Sequence, residues 1–176
     1  MSHETKSQPY QQALTLAEQG QYEQALEMIC QYLRSYPDDG EALNDAGTTL
    51  FCMRRGSEAI EHFEKARGLL QGTLAQQALW NLSEAYIQED RPAEAYKLSD
   101  EMAQAGILNA DVLNRTAEAF LSRDALGGAM ECLMRSLKIS PEQEILEPML
   151  KVIRSRRPAA VVAGDEDDQV LREIRD

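Results

Sequence analysis

The sequence predicts an all-α fold: a solenoid of four helix–turn–helix units closed by one further helix at the C-terminal end. Three observations carry that prediction. Small residues recur in two columns, Ala13, Gly47, Ser83 and Ala117, then Ala25, Ala59, Ala95 and Ala129. Both columns advance by 34, 36 and 34 residues, and a third, Leu16, Leu50, Tyr86 and Phe120, shares that irregular spacing. Each unit also places apolar residues at i, i+3, i+4 and i+7, the period of an amphipathic helix. Self-similarity at a fixed interval marks a repeat architecture.

The elements follow in order. In the first unit, Glu18-Gln19-Gly20-Gln21 is a polar turn, and QGQYEQALEMICQYLRSYP (19–37) carries the second helix with Ala25, Ile29 and Tyr32. Pro37 stops that helix, and Asp38 or Asp39 then caps the next. The second unit turns at Arg54-Arg55-Gly56 and continues through Ala59, Phe63 and Ala66. Two extra residues of the middle step fall near Gln71-Gly72-Thr73. The third unit turns at Glu89-Asp90-Arg91-Pro92; a first helical turn does not need the N–H that Pro92 lacks. The fourth turns at Arg123-Asp124 and stops at Pro141. Gly127-Gly128, at the start of its second helix, reads as a turn feature. The small residues are expected wherever one helix of a pair meets its partner's backbone closely, with the larger apolar residues filling the groove between.

PEQEILEPMLKVIRSRRP (141–158) predicts one more amphipathic helix, with Ile145, Met149, Val152 and Ile153 on one face. A solenoid needs such a cap, because each repeat buries its flank only against a neighbour. Lys151, Arg154, Arg156 and Arg157 crowd its last turns, where cations suit the helix dipole. AAVVAG (159–164), DEDD (165–168) and QVLREIRD (169–176) then change the composition. Residues 157–176 read either as an acidic tail or as the opening strand, loop and helix of a second α/β domain.

Composition excludes several classes. Thirty acidic against 18 basic residues give a net charge of −12. Nucleic-acid binding draws on a basic stripe, and anionic membrane surfaces also select for cations, so neither is an expected partner. No apolar run approaches the roughly 20 residues of a membrane span. Three cysteines without paired spacing make no disulfide framework, and the polar leader has no signal-peptide core. A cytoplasmic protein is expected. There is no phosphate-cradling loop or dinucleotide fingerprint. His3 and His62 lack partners at metal-ligand spacing, Cys30, Cys52 and Cys132 read as small apolar packers, and the 165–168 run lacks the glycine and spaced glutamate of a calcium loop. No catalytic constellation, cofactor site or metal site is predicted.

The units resemble the tetratricopeptide repeat, a helix–turn–helix family with a 34-residue unit. WNLSEAYIQEDRPAEAY (80–96) and EAIEHFEKA (58–66) carry the likeness most fully, and the first and fourth units keep the family's terminal proline. Ser99 departs where the family is usually aromatic and Met102 where it is usually alanine, and the second and third units do not end in proline. On this resemblance the repeats lie at about 6–39, 40–73, 76–109 and 110–143, with a capping helix at 144–156 and the whole array spanning 1–156.

The resemblance implies a right-handed solenoid whose first helices form a concave face that binds a peptide or a partner domain. The family's inward-facing positions map onto Tyr10, Gln11 and Leu14, then Asn44, Asp45 and Thr48, then Trp80, Asn81 and Glu84, and then Asn114, Arg115 and Glu118. Asparagine there can both donate to and accept from an extended peptide backbone. Trp80 reads either as a binding anchor or as packing between adjacent repeats, and Arg115 reads either as a ligand contact or as an ion pair with Glu118. Relatives that clamp a chaperone's C-terminal carboxylate use cations at positions that here are Tyr10, Leu14, Asp45, Gln77 and Asn81, so that ligand is not expected. With Asp45, Glu84 and Glu118 facing inward, a neutral or basic protein segment is. Two further expectations stand beside this one. The order of array, Arg-Arg-Pro and apolar strand is similar to bacterial sugar-transfer enzymes with helical-repeat leaders, which makes the array a docking scaffold for a glycosyltransferase-like α/β domain beyond residue 176. The exposed end helix offers a route to self-association.

Overall fold

The computed structural model describes residues 7–142 and 146–156, apart from the side chains of Glu147 and Arg154. Among the described residues every regular element is a helix: α1 (Gln8–Glu18), α2 (Tyr22–Ser35), α3 (Gly40–Cys52), α4 (Gly56–Arg67), α5 (Gly72–Gln88), α6 (Pro92–Gln104), α7 (Ala110–Ser122), α8 (Leu126–Ile139) and α9 (Leu146–Arg156). Each odd helix pairs with the even helix after it. The hairpins stack in chain order, α2 on α3, α4 on α5 and α6 on α7, and α9 packs on α7 and α8. The odd helices also touch one another, α3 with α5, α5 with α7 and α7 with α9. The even helices make no comparable contact among the described residues, so the array bends towards its odd-helix face.

The columns read from the sequence form the spine of the packing. Ala13, Ser83 and Ala117, and Ala25, Ala59, Ala95 and Ala129, are fully buried. Gly47 lies beneath the Phe63 ring, where an added Cβ would stand 2.6 Å from a ring carbon. The fourth hairpin reverses this pair: Phe120 on the odd helix lies over Gly128 on the even one, 2.7 Å from where a Cβ would be. Gly128 is therefore a seat for an aromatic ring inside α8, not the turn feature the sequence suggested. The two departures from the family pattern compensate each other. The second hairpin has a large Phe63 and a small Ala66, whereas the third has a small Ser99 and a large Met102 one turn on, both buried. Volume is conserved across the i, i+3 pair, and the flexible Met102 fits the irregular gap.

The hairpin turns share one geometry. Gly20, Arg54, Asp90 and Asp124 all adopt positive φ, at 77°, 61°, 54° and 57°. The next residue's N–H reaches back over the turn to a carbonyl, as from Arg55 to Leu50 at 2.9 Å and from Arg91 to Tyr86 at 2.8 Å. This is the left-handed helix ending that glycine favours, yet three of the four positions are not glycine. Gly56, expected in a turn, opens α4 instead. Asp39 proves to be the cap of α3, accepting from the Ala42 N–H at 3.1 Å, while Tyr32 donates to its other oxygen at 2.8 Å. Asn109 caps α7 in the same way, through the Val112 N–H at 3.1 Å. The two inserted residues lengthen α5 at its N-terminus, to 17 residues against 13 in α3 and in α7.

One buried polar atom has no partner among the described residues: the Ser83 hydroxyl oxygen, at a column where the neighbouring hairpins carry alanine or glycine. An unmet hydroxyl in a core costs free energy that a methyl does not. Ser83→Ala is therefore expected to raise stability by about 1 kcal/mol, read as a higher denaturant midpoint at unchanged slope.

On its inner side α9 buries Leu146, Met149, Leu150 and Ile153. The expected face was partly out of phase: Met149 and Ile153 belong to it, Val152 is half-buried, and Leu146 and Leu150 take the remaining places. The expectations for Ile145, for the Arg154 side chain and for residues 157–176 lie outside the described residues.

Candidate functional site: the odd-helix face

α1, α3, α5 and α7 present one continuous surface, and the structure brings most of the sequence-predicted site residues together on it as pairs. The Tyr10 hydroxyl donates to Asp45 at 2.5 Å. The Asn81 amide donates to Asn44 at 3.1 Å and to the Thr48 hydroxyl at 3.4 Å. Arg115 donates to Glu84 at 2.5 Å. One rule covers the three: the residue two before the small-residue column reaches back to the preceding hairpin, three before or one after that column. Each hairpin junction from α1 to α7 thus has its own polar latch. Asn114 is nearly buried and accepts from Ser136 at 2.7 Å, within its own hairpin. Of the two readings of Arg115, the ion-pair reading holds with a different partner: Glu84 across the junction, while Glu118 contributes only its field.

Exposure divides these residues. Tyr10 is fully buried, and Asn44 and Asn114 are nearly so. Asp45, Trp80, Asn81, Glu84 and Arg115 are half-buried, and Thr48 and Glu118 are exposed. Trp80 packs against the central core cluster while keeping part of its ring on the surface. Gln77, one turn before it, is exposed. The accessible face is thus a rim of polar groups around a half-covered indole, on a floor locked by the latches. Sequence reasoning missed the aromatic stack behind it: the Tyr10 and Tyr32 rings lie 4.6 Å apart, and Tyr36 stacks on Tyr32 at 4.7 Å. Four tyrosines in the first repeat, three of them in the stack, were the available signal.

The latches leave an electrostatic mark. Burial, then the hydrogen bond to Asp45, then the fields of Asp45, Asp39 and Glu41 hold the Tyr10 phenol well above the ordinary tyrosine range. Burial and the bond to Asp39 push Tyr32 up to about 12, and burial and Glu64 push Tyr86 up to about 12. An unfolded phenol ionises near pH ~10. Above that pH the unfolded chain has lost protons that the folded chain keeps, so the stabilisation is complete below pH ~10 and is lost as the pH rises through the folded values. The midpoint of thermal unfolding is expected to fall steeply between about pH 10 and 12, and Tyr10→Phe to make the fall shallower. Equal slopes for both proteins would show that Tyr10 keeps no proton in the fold.

The cysteines are free. Cys132 is buried in the core beside α9, and burial pushes its thiol up to about 12. Cys30 is half-buried, and Cys52 is exposed rather than a packing residue. Among the described residues no group of three or more His, Cys, Asp or Glu is arranged to hold a metal, and no helix is long and apolar enough to cross a membrane.

Comparison with known proteins accords with this architecture. Residues 10–72 match the family model described as tetratricopeptide repeat. A search of curated proteins returns no match. Among solved structures, the fold is similar to MamA (residue 41 to the end) from Desulfovibrio magneticus RS-1, with TM-score 0.65, 16% identity, and coverage of 96% of this chain and 97% of that one. It is also similar to PilF of Pseudomonas aeruginosa, with TM-score 0.55, 18% identity, and coverage of 84% and 71%. In the APC/C hetero-tetramer Cut9-Hcn1 the match has TM-score 0.57 and 22% identity, covering 82% of this chain while spanning only 29% of that one. Identities this low speak for the fold alone. Taken with the hairpin stack and its columns, they show that the chain has a tetratricopeptide-repeat-like fold, with the family model itself matching residues 10–72.

Proposed function

We propose that the chain is a non-catalytic, cytoplasmic interaction module, that residues 1–156 act as one array, and that its odd-helix face binds an extended neutral or basic segment of a partner protein. The observation behind this reading is the latched face itself. Tyr10–Asp45, Asn81–Asn44 and Arg115–Glu84 tie consecutive odd helices together, so the surface around Trp80 is held in place before a partner arrives. A preorganised surface spares the protein its share of the ordering cost and leaves that cost to the partner, which fits reversible, modest affinity. Trp80, Asn81, Thr48 and Glu118 offer an aromatic shelf with donors and acceptors beside it, the mixture found at binding hot spots. The free cysteines fit a reducing compartment.

The test is site-specific photocrosslinking in cells. A photoreactive side chain at Gln77 or Glu118, exposed on the odd helices, is expected to trap a protein partner, whereas the same group at Glu61, exposed on α4, is not. Equal capture of one partner from Glu61 would remove the odd face as the binding surface.

A further inference from the structure

Charge is distributed unequally between the two sides of the array. On the even helices and the turns, most of the arginines sit beside carboxylates: Arg67 with Glu64 and Glu101, Arg55 with Glu58, Arg91 with Glu94, Arg123 with Asp90, and Arg135 with Asp100. The odd helices are different. α1, α3 and α5 contain no Lys or Arg, and α7 contains only Arg115. Along them stand Glu41 and Asp45 on α3, Glu84 on α5, and Asp111 and Glu118 on α7. Arg115 already bonds Glu84, and Asp111 and Glu118 act on it from one turn to either side along the same stripe of α7. Asp111 and Glu118 are both exposed. The odd helices α3, α5 and α7 therefore carry these five carboxylates against the single Arg115, ordered by hairpin.

The spacing of that surplus adds a second condition. Packed helices lie about 9 Å apart, and an extended chain advances ~3.3 Å per residue. A segment crossing the odd helices therefore meets a new helix about every three residues. We propose that the odd-helix face takes an extended partner segment bearing a Lys or Arg at every third position, directed in turn at Asp45, Glu84 and the Asp111/Glu118 pair, with aliphatic stems lying along Trp80. This rests on the odd-face reading above and narrows it to a charge and a register. Each carboxylate can serve its latch and a ligand at once, because an ionised carboxylate has about four lone-pair positions.

The test uses the full chain and four fluorescein-labelled ten-residue peptides read by fluorescence anisotropy. One has Lys at positions 1, 4 and 7 in a Ser/Ala background, the second has the same three Lys contiguous, the third has Gln in place of Lys, and the fourth has Glu. The spaced peptide is expected to bind about tenfold more tightly than the Gln peptide, as three exposed ion pairs would give, and severalfold more tightly than the contiguous one. The Glu peptide is expected not to bind. Salt should weaken the spaced peptide most. The double variant Asp111→Asn with Glu118→Gln, at exposed side chains outside the latches, should erase much of the spaced peptide's advantage over the Gln peptide. Equal affinity for spaced and contiguous peptides overturns the register. Equal affinity for the Lys and Gln peptides overturns the charge, and if Trp80→Ala then weakens both alike, the odd-face reading survives alone. Failure of every peptide, together with capture from Glu61 in cells, overturns both. If light scattering shows a dimer that Glu118→Arg dissociates, the face is covered by a second copy and the proposal is wrong.

Discussion

Phe63→Ala is expected to destabilise the protein by about 3–5 kcal/mol, the cost of emptying a buried aromatic site, and to turn the effect of a neighbouring substitution from harmful to helpful. Phe63 is 1% exposed and lies in the central core cluster with Leu50, Ala59 and Leu82. Its ring occupies the space that a Cβ at position 47 would need. In the wild-type background, Gly47→Ala must push that ring aside, an overpacking cost of about 1–3 kcal/mol. In the Phe63→Ala background the added methyl enters vacated space, and the intrinsic preference of a helix for alanine over glycine, up to about 1 kcal/mol, is no longer opposed. The same substitution should thus lower the denaturation midpoint in one background and raise it in the other. Identical costs in both would mean that the ring does not lie over Gly47. Exchange protection should fall first in α3 and α4, because repeats in a stacked array respond mostly with their neighbours.

The columns were legible because close helix contacts admit only small residues, and the chain repeats that demand with the period of the fold. Glycine was a poorer guide. Its presence signals either a left-handed backbone or a close approach, and the sequence does not separate the two. Gly20 is the first kind, whereas Gly47 and Gly128 are the second. Arg54, Asp90 and Asp124 take the left-handed conformation without glycine and were readable only by offset from Gly20. The candidate site shows the same ambiguity. A polar residue at an inward position reads equally as a ligand contact or as a bond to the next repeat. Tyr10, Asn44 and Arg115 became separable only when their complements, Asp45, Asn81 and Glu84, were found about one repeat away. Asn114 gave no such hint, because its partner, Ser136, lies within its own hairpin.

Unseating α9 should cost more than any single core substitution. Leu146 and Ile153 are 2% and 1% exposed and, with Met149 and Leu150, cover a cluster formed by Ala117, Ala129, Cys132 and Leu133. The array needs that cover because α7 and α8 have no later hairpin among the described residues to bury their flank. α9 departs from the pattern of the odd helices before it. One repeat beyond Ala117, the column that demands a small residue wherever an even helix follows, stands Lys151, and it is exposed. A charged side chain there keeps that side of α9 polar. Leu146→Ala and Ile153→Ala should each cost about 2–4 kcal/mol. Both lie on one short helix with little stability of its own, so the double variant is expected to release α9 as a unit rather than loosen it by halves. Amide exchange should then speed up across α7 and α8 while α1 and α2 keep their wild-type rates, since their core cluster is separate. Uniform acceleration from α1 to α8 would show that the hairpins unfold as a single block, and unchanged protection in α8 would show that α9 covers nothing the array depends on.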